Sequence, residues 1–355
     1  MAKPDPDPER SRPLKETARA VLTHALLLPF WSLFGDGQAT VFMLHRFSDP
    51  ETGAAGHDPI QLAKQLAFLR RNRYHILSLS DLVSDLGTGS PGRLRRVAFT
   101  VDDGYADFAR IGAPVFAQYD CPVTLFVVTG VVDGLCWFWW DRLHYAFEHT
   151  ARREVEIEIE GERWSSSWSA LQERRQLEAR LIERLKWVDE SAKLSLIDRI
   201  AADLAVELPS HPPPKYAPIT WRDTKTLAPQ GVDFGAHTVT HPVLSRTSDE
   251  QCRFEIAESF RRVKQETDAV TEIFCYPNGD SRSFGDRECQ VLADVGAAGA
   301  VTAIEGFPTE QHGPRGVDAR RYRIPRYPLP GTHAEFVQVV SGLEASLQAF
   351  RSHIA

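Results

Sequence analysis

Residues 97–105 read VAFTVDDGY, a short apolar run that ends in two adjacent aspartates, a glycine and a tyrosine. A run of this kind, bounded by a turn signal, has the pattern of a strand buried on both faces. Two carboxylates side by side at its end repel each other, and each raises the other's pKa unless something positive is near. Either Asp102 and Asp103 face water in an ordinary Asp-Gly turn, or a cation belongs beside them. Gly104 suits either case, because a turn directly after the pair needs a residue tolerant of unusual φ and ψ.

Outward from this stretch, similar runs recur at Thr40–Leu44, Pro122–Val128, Val232–Ala236, Ile273–Tyr276, Ala300–Val301 and Tyr322–Ile324. Amphipathic stretches at Pro59–Asn72, Phe108–Tyr119, Asp249–Thr267 and Asp286–Val295 lie between them. Buried strands alternating with helices imply a parallel sheet covered on both faces. Their number and spread suggest a barrel-like α/β fold rather than an open three-layer sheet. The middle of the chain breaks this rhythm. Val155–Arg163 alternates with period two, as in a half-exposed hairpin. Leu171–Val188 and Ser191–Leu208 read as charged amphipathic helices, closed by SHPPPKYAP at 210–218. The expected organisation is a tail and apolar helix over 1–36 and a core domain over 37–136 and 219–335. A mixed helical and hairpin insertion over 137–218 and a C-terminal helix over 336–355 complete it.

Composition narrows the function. The 355 residues carry a formal charge of -7, with 43% hydrophobic and 25% charged residues, as in a globular protein with a full core. That charge gives no reason to propose nucleic acid as a partner, because phosphate binding needs a clustered basic face. The five cysteines are odd in number and form no CxxC pair, so neither a disulfide framework nor a cysteine zinc site is indicated. Reduced thiols in a cytoplasm, most of them packed as small core residues, are the simpler reading. The run VLTHALLLPFWSLF at 21–34 is short of the ~20 residues of a spanning helix. It reads as a packed or surface-lying helix, with peripheral membrane contact and an uncleaved or exported anchor as alternatives. The expected location is cytoplasmic with membrane association open and export not excluded.

In parallel α/β folds the active site lies at the carboxyl ends of the strands. Applied here, the rule collects His45 after VFML, Asp102 and Asp103 after AFTV, and His237 with His241 after VDFGA. It also collects Pro277, Asn278, Gly279 and Asp280 after IFCY. The spacing of HTVTH at 237–241 would place both imidazoles on one side of a helical turn. Alone, such a pair is more often surface or capping residues. With a strand-end aspartate it becomes two nitrogens and one carboxylate, a facial set suited to Zn²⁺, Co²⁺ or Fe²⁺. A metal ion would be the cation that the aspartate pair lacks. One carboxylate would ligate it, and the other would stand beside it to take a proton from the attacking water.

TVDDGY at 100–105, HTVTH at 237–241 and YPNG at 276–279 resemble, in order and spacing, the motifs of polysaccharide deacetylases, the NodB-homology fold of carbohydrate esterase family four. The resemblance runs from about Thr40 to Leu329, with 137–218 outside the common core. It implies a distorted (β/α)₇ barrel and metal-dependent removal of acetyl from an N-acetylhexosamine in a glycan or its lipid-linked precursor. Carried over by position, Asp103, His237 and His241 would hold a divalent metal, with Zn²⁺ first choice and Co²⁺ an alternative. Asp102 would be the general base. The Tyr276 backbone N–H, with Pro277, Asn278 and Gly279 around it, would bind substrate and its oxyanion.

Three departures stand out. The usual first motif has Phe where Thr100-Val101 continues here. Many members carry an arginine before the Tyr-Pro pair, where this chain has Phe274-Cys275. No late Leu-x-x-His segment supplies the family's acid histidine, and His312 and His333 sit in loop-like contexts. VFMLHRF at 41–47, however, resembles the first strand of a circularly permuted branch that includes poly-N-acetylglucosamine deacetylases. The resemblance makes His45, at the end of that strand, the acid that protonates the leaving amine; an ordinary helix-start histidine is its bland alternative. An arginine should orient Asp102: Arg326, in the apparent last strand RIPRY, is the first candidate and Arg46 the second. WFWW at 137–140 reads either as a hydrophobic hinge for the insertion or as an aromatic platform for sugar.

The expected function is thus a metal-dependent glycan N-deacetylase. The alternatives are hydrolysis of another amide or an O-acetyl group on the same fold, and a non-catalytic carbohydrate-binding domain. An open coordination site with a spare base argues against the last.

Overall fold

The computed structural model describes residues 39–86, 95–313, 319–345 and 347. The apolar run 21–34 and most of the C-terminal stretch beyond Leu343 lie outside the described residues. The chain builds an eight-stranded, all-parallel sheet. Its strands are β1 (Ala39–Leu44), β2 (His75–Ile76), β3 (Arg96–Val101), β4 (Val123–Val127), β7 (Val232–Ala236), β8 (Val270–Cys275), β9 (Gly299–Val301) and β10 (Tyr327–Pro328). The order is β10-β1-β3-β4-β7-β8-β9, with β2 paired to the start of β3.

Every residue of β3 and β4 is buried, as a parallel sheet covered on both faces requires. Period-two alternation divides each strand between two cores. Phe42, Phe99, Leu125, Phe234 and Phe274 pack outward against the surrounding helices. Val41, Ala98, Phe126, Ile273 and Val301 form a separate cluster with α2 (Leu79–Leu86), which plugs the lower end of the barrel. Above that plug the inward positions turn polar.

The outer helices are α1 (Pro59–Arg71), α8 (Trp221–Leu227), α9 (Asp249–Glu266), α10 (Asp286–Asp294) and α11 (His333–Val340). Their starts follow local rules: Asp58 caps α1 by accepting from the Ile60 N–H, and Ser248 caps α9 by accepting from Gln251. Phe108–Gly112 forms a wide π-helical turn before α3 (Ala113–Gln118), where a single helix was expected. The segment 322–324 is a correction as well. Ala319–Tyr322 is a 3₁₀ turn, only Ile324 bridges Val301, and the strand proper is Tyr327–Pro328 against Phe42 and Met43. Ile324 reaches β9 and Tyr327–Pro328 reach β1, so this short segment joins the two edges of the sheet.

After the short α4 (Thr129–Val132) the chain leaves the barrel. Helix α5 (Trp139–His149), the hairpin β5 (Glu154–Ile159) and β6 (Glu162–Ser167), α6 (Leu171–Leu185) and α7 (Glu190–Asp203) follow. They share a core of their own, including Leu143, Phe147, Ile157, Leu181 and Ile197. Helix α7 stops at Asp203, short of the expected Leu208. The body lies at the carboxyl-end rim, tied down where Ile219 N–H donates to Gly104 O and Ala106 N–H to Ala217 O. Among the described residues no helix is long and apolar enough to cross a membrane.

Candidate active site

The inward file of β3 runs Ala98, Thr100 and then Asp102 just past its end. Asp102 is buried and gripped bidentately by Arg326: Nη1 donates to Oδ1 and Nη2 to Oδ2, each at 2.8 Å. The rest of the guanidinium is also satisfied, by Thr302 O at 2.8 Å, Thr100 Oγ1 at 2.8 Å and Cys275 Sγ at 3.3 Å. Burial alone would raise the Asp102 carboxyl, but the Arg326 charge and hydrogen bonds outweigh it and hold the group below the usual carboxylate range. Arg46, the second candidate for this role, is elsewhere. Its Nε donates to Asp107 at 2.6 Å and its guanidinium lies 3.8 Å from the Tyr105 ring centroid.

Asp103 adopts φ +74°, which turns its side chain away from that of its neighbour. Its Oδ1 lies 3.5 Å from His237 Nε2 and 3.5 Å from His241 Nε2, too long for good hydrogen bonds. This oxygen is buried and has no hydrogen-bond partner among the described residues. An orphan of that kind costs about 1–3 kcal/mol, which a cation between the three groups would relieve. His237 Nδ1 is 2.7 Å from Cys275 O. A carbonyl can only accept, so Nδ1 carries the proton and Nε2 offers its lone pair to the centre. Burial above all, and then the charge of His237, push His241 down to about 3, leaving it neutral. Burial would lower His237 as well, but Cys275 and Asp103 outweigh it and push His237 up, so a cation at the centre would take the place of the proton that His237 otherwise holds on Nε2. Asp103 is held below the usual range, because the histidines around it outweigh its burial. The donor set therefore fits a divalent ion. Asp102, His237 and Cys275 also cluster within 4.8 Å, but Arg326 already occupies that side with positive charge.

The two imidazoles do not share a helical turn, contrary to the spacing argument. Residues 237–241 form an irregular loop in which Thr238 has φ +68° and His241 φ +61°. Buried Glu255 holds it: one oxygen accepts from Val239 N–H at 2.7 Å and Thr240 N–H at 2.9 Å, the other from Thr240 Oγ1 at 2.6 Å. The backbone bends until the ring centroids are 4.8 Å apart. Sequence reasoning missed Glu255. The available signal was a carboxylate on the apolar stripe of α9, with Cys252, Ile256 and Ser259.

His45 stands at the end of β1, half-exposed, with Nε2 3.8 Å from Asp102 Oδ2. In YPNG the Tyr276 ring points away and stacks on Phe284 at 4.0 Å. Its N–H makes one long bond, 3.3 Å, to Val301 O. Asn278, at φ +62°, faces the cleft. Pro277 O accepts from Gly279 N–H at 2.7 Å, and a Cβ on Gly279 would meet Ala303 N at 2.6 Å, so the loop can close only with glycine there. Cys275, first read as a core thiol, is buried but touches the Arg326–Asp102 pair.

These residues open into a cavity of about 360 Å³. The insertion forms part of its wall through Trp139, Trp140, Ile182, Glu183 and Lys186. Trp140 lies edge-on to His241 at 4.8 Å and donates from Nε1 to Tyr105 OH, which donates in turn to buried Asp141. Trp137 and Phe138 are buried, so WFWW is divided between hinge and cleft wall. A separate cavity of about 450 Å³, between the 134–137 loop and α7, holds none of the candidate metal donors.

The family model described as polysaccharide deacetylase matches residues 195–300, which contain both HTVTH and YPNG. Over that segment the chain is similar to the polysaccharide deacetylase family. Among solved structures, the Streptococcus pyogenes deacetylase PplD in complex with acetate is similar, with 17% identity, a TM-score of 0.55 and 86% of this chain against 99% of that one. IcaB from Ammonifex degensii is similar with 17% identity, a TM-score of 0.50 and coverage of 86% and 97%. A de-N-acetylase from Aggregatibacter actinomycetemcomitans has 11% identity, a TM-score of 0.50 and coverage of 85% and 99%. At such identities the likeness is one of fold, the distorted (β/α)₇ barrel. No curated protein matches the sequence.

Proposed function

We propose that this chain is a polysaccharide deacetylase, a metal-dependent N-deacetylase acting on an N-acetylhexosamine within a glycan. The observation that carries the reading is the buried, unpartnered Asp103 Oδ1 placed 3.5 Å from two imidazole nitrogens, beside a carboxylate that Arg326 keeps charged. Asp103, His237 and His241 would hold the ion, and two nitrogens with one oxygen favour Zn²⁺ over Mg²⁺ or Ca²⁺. Such an ion, when bound, polarises the acetyl carbonyl and acidifies water.

The remaining work falls to the chain. Asp102 takes the proton of the attacking water; its Arg326 clamp fixes the carboxylate and keeps it ionised. The amide nitrogen must leave as an amine, and His45, whose Nε2 lies 3.8 Å from Asp102 at the cleft, would give it a proton. The Tyr276 N–H, released from its long bond to Val301 O, would donate to the oxyanion, a contribution of about 3–4 kcal/mol in comparable sites. The test is acetate release from N-acetylglucosamine oligomers. A chelator should abolish it and added Zn²⁺ or Co²⁺ restore it. Undiminished release by demonstrably metal-free protein would refute the reading.

A further inference from the structure

The two neighbouring tryptophans of the cleft wall belong to different bodies. Trp140 packs with Tyr105, Val128, Val131 and Phe138 on the barrel side. Trp139 packs at the margin of the insertion's core, turned edge-on to Trp140 at 5.6 Å and 85°. Its indole is held from behind by Lys193, whose Nζ lies 5.2 Å from the ring centroid. Lys193 is itself buried, donating to Glu190 Oε1 at 2.6 Å and to Lys186 O at 3.3 Å. Glu190 Oε1 also accepts from Val243 N–H at 3.0 Å, two residues past His241. Trp139 is therefore a half-buried aromatic surface fixed rigidly relative to the metal-binding loop.

In the same cavity, the last turn of α6 offers Ile182 and Glu183, and the residue that caps it, Lys186, follows. Lys186 is engaged by Asp280 at 3.3 Å. Glu183 lines the cavity with no hydrogen bond or ion pair among the described residues. An aromatic face with a free carboxylate beside it matches a pyranose. The ring's C–H face stacks on the indole, and its hydroxyls or an amino group donate to the carboxylate. The cavity's size, about 360 Å³, is near the lower end of the ~300–1,000 Å³ typical of ligand sites, so it suits a short stretch of glycan.

Resting on the deacetylase reading, we infer that the insertion supplies a sugar-binding subsite, with Trp139 as platform and Glu183 as acceptor, for the residue next to the one deacetylated. The enzyme then prefers chains to single sugars, and the preference resides in the insertion rather than in the barrel.

The experiment compares kcat/KM on N-acetylglucosamine and on its β-1,4- and β-1,6-linked tetramers, using Zn²⁺-loaded protein. The intact enzyme should favour one tetramer by about 10-fold or more, the scale of one aromatic contact. Trp139→Ala should bring that ratio to about twofold or less, Trp139→Phe should retain most of it, and Glu183→Gln should lower it by about threefold. A ratio near one in the intact enzyme overturns the inference. So does a Trp139→Ala protein that loses rate on monomer and tetramer alike, because a structural role would leave the ratio unchanged. Absence of acetate release from every substrate would refute the deacetylase reading instead. Calorimetric titration with the tetramers then decides the subsite by itself: weaker binding by Trp139→Ala and Glu183→Gln supports it, and absent or unaltered binding overturns it.

Discussion

At the barrel mouth Asp103, Thr238, His241 and Asn278 all hold positive φ, and the buried side chains around them are charged or polar. In the insertion the non-glycine residues of that kind among those described are Glu160, at the hairpin turn, and Ala205, just past a helix end. The insertion's core is mostly leucine, isoleucine, valine and aromatic rings. Asp141, Glu178 and Lys193 are its buried charged residues, and other charges pair on the surface, as Arg163 does with Glu156 and Arg184 with Glu162. Such exposed pairs add little, about 0–1 kcal/mol each. The two regions touch the same cavity but are built by different means. The mouth holds strained backbone, of order 1–3 kcal/mol per residue, by clamps such as Glu255 on the HTVTH loop. The insertion's two such positions, Glu160 in a hairpin turn and Ala205 past a helix end, each follow from the local turn rather than from a distant clamp. The candidate site lies where a clamp from a distant element holds the backbone, and the adjoining wall where local turns suffice.

If this division is correct, the largest effect should come from the mouth. Asp102→Asn should lower acetate release by about 10²–10⁴-fold, the range of a general base. It should also destabilise the protein by about 3–5 kcal/mol, because Arg326 is left buried without its anion. Full activity would remove Asp102 from the base role. His45→Ala should slow turnover by roughly 10²-fold or more, with zinc affinity by competitive titration retained. An unaltered rate would move the acid elsewhere.

Within the insertion, Leu181→Ala should cost about 2–5 kcal/mol on thermal or denaturant unfolding, while the zinc affinity of Asp103, His237 and His241 stays the same. Loss of zinc affinity along with stability would mean that the two regions are one mechanical unit, and the contrast would fail. The smallest effect tests their seam. Burial raises the Asp141 carboxyl to about 7 despite the Tyr105 hydrogen bond. The folded state thus binds that proton more tightly than the unfolded chain, whose Asp titrates near pH ~3.9. This contribution is present in full at low pH, declines as pH rises from about 4 through about 7, and is flat above. In Asp141→Asn the fall of Tm across that window should be shallower than in the parent; an identical slope would show that Asp141 is not the group responsible.

Much of this was legible in one dimension. Buried strands and amphipathic helices announced themselves by periodicity, because each answers to neighbours a few residues away. Asp102, Asp103, His237 and His241 were locatable because a strand's end is where a parallel barrel opens. The course of the HTVTH loop was not, since the helical reading of its spacing ignored Glu255, which arrives from α9. Nor was the fate of Cys275, or the division of WFWW between two cores.

What the sequence determined alone was the alternation of the elements and the residue types at the strand ends, both local quantities. Which carboxylate faces Arg326 and which faces the imidazoles was decided only by the tertiary structure. Asp102 and Asp103 are chemically identical, and a reversal of backbone direction at φ +74°, together with a guanidinium contributed from the far end of the chain, is what makes one of them a candidate base and the other a candidate ligand.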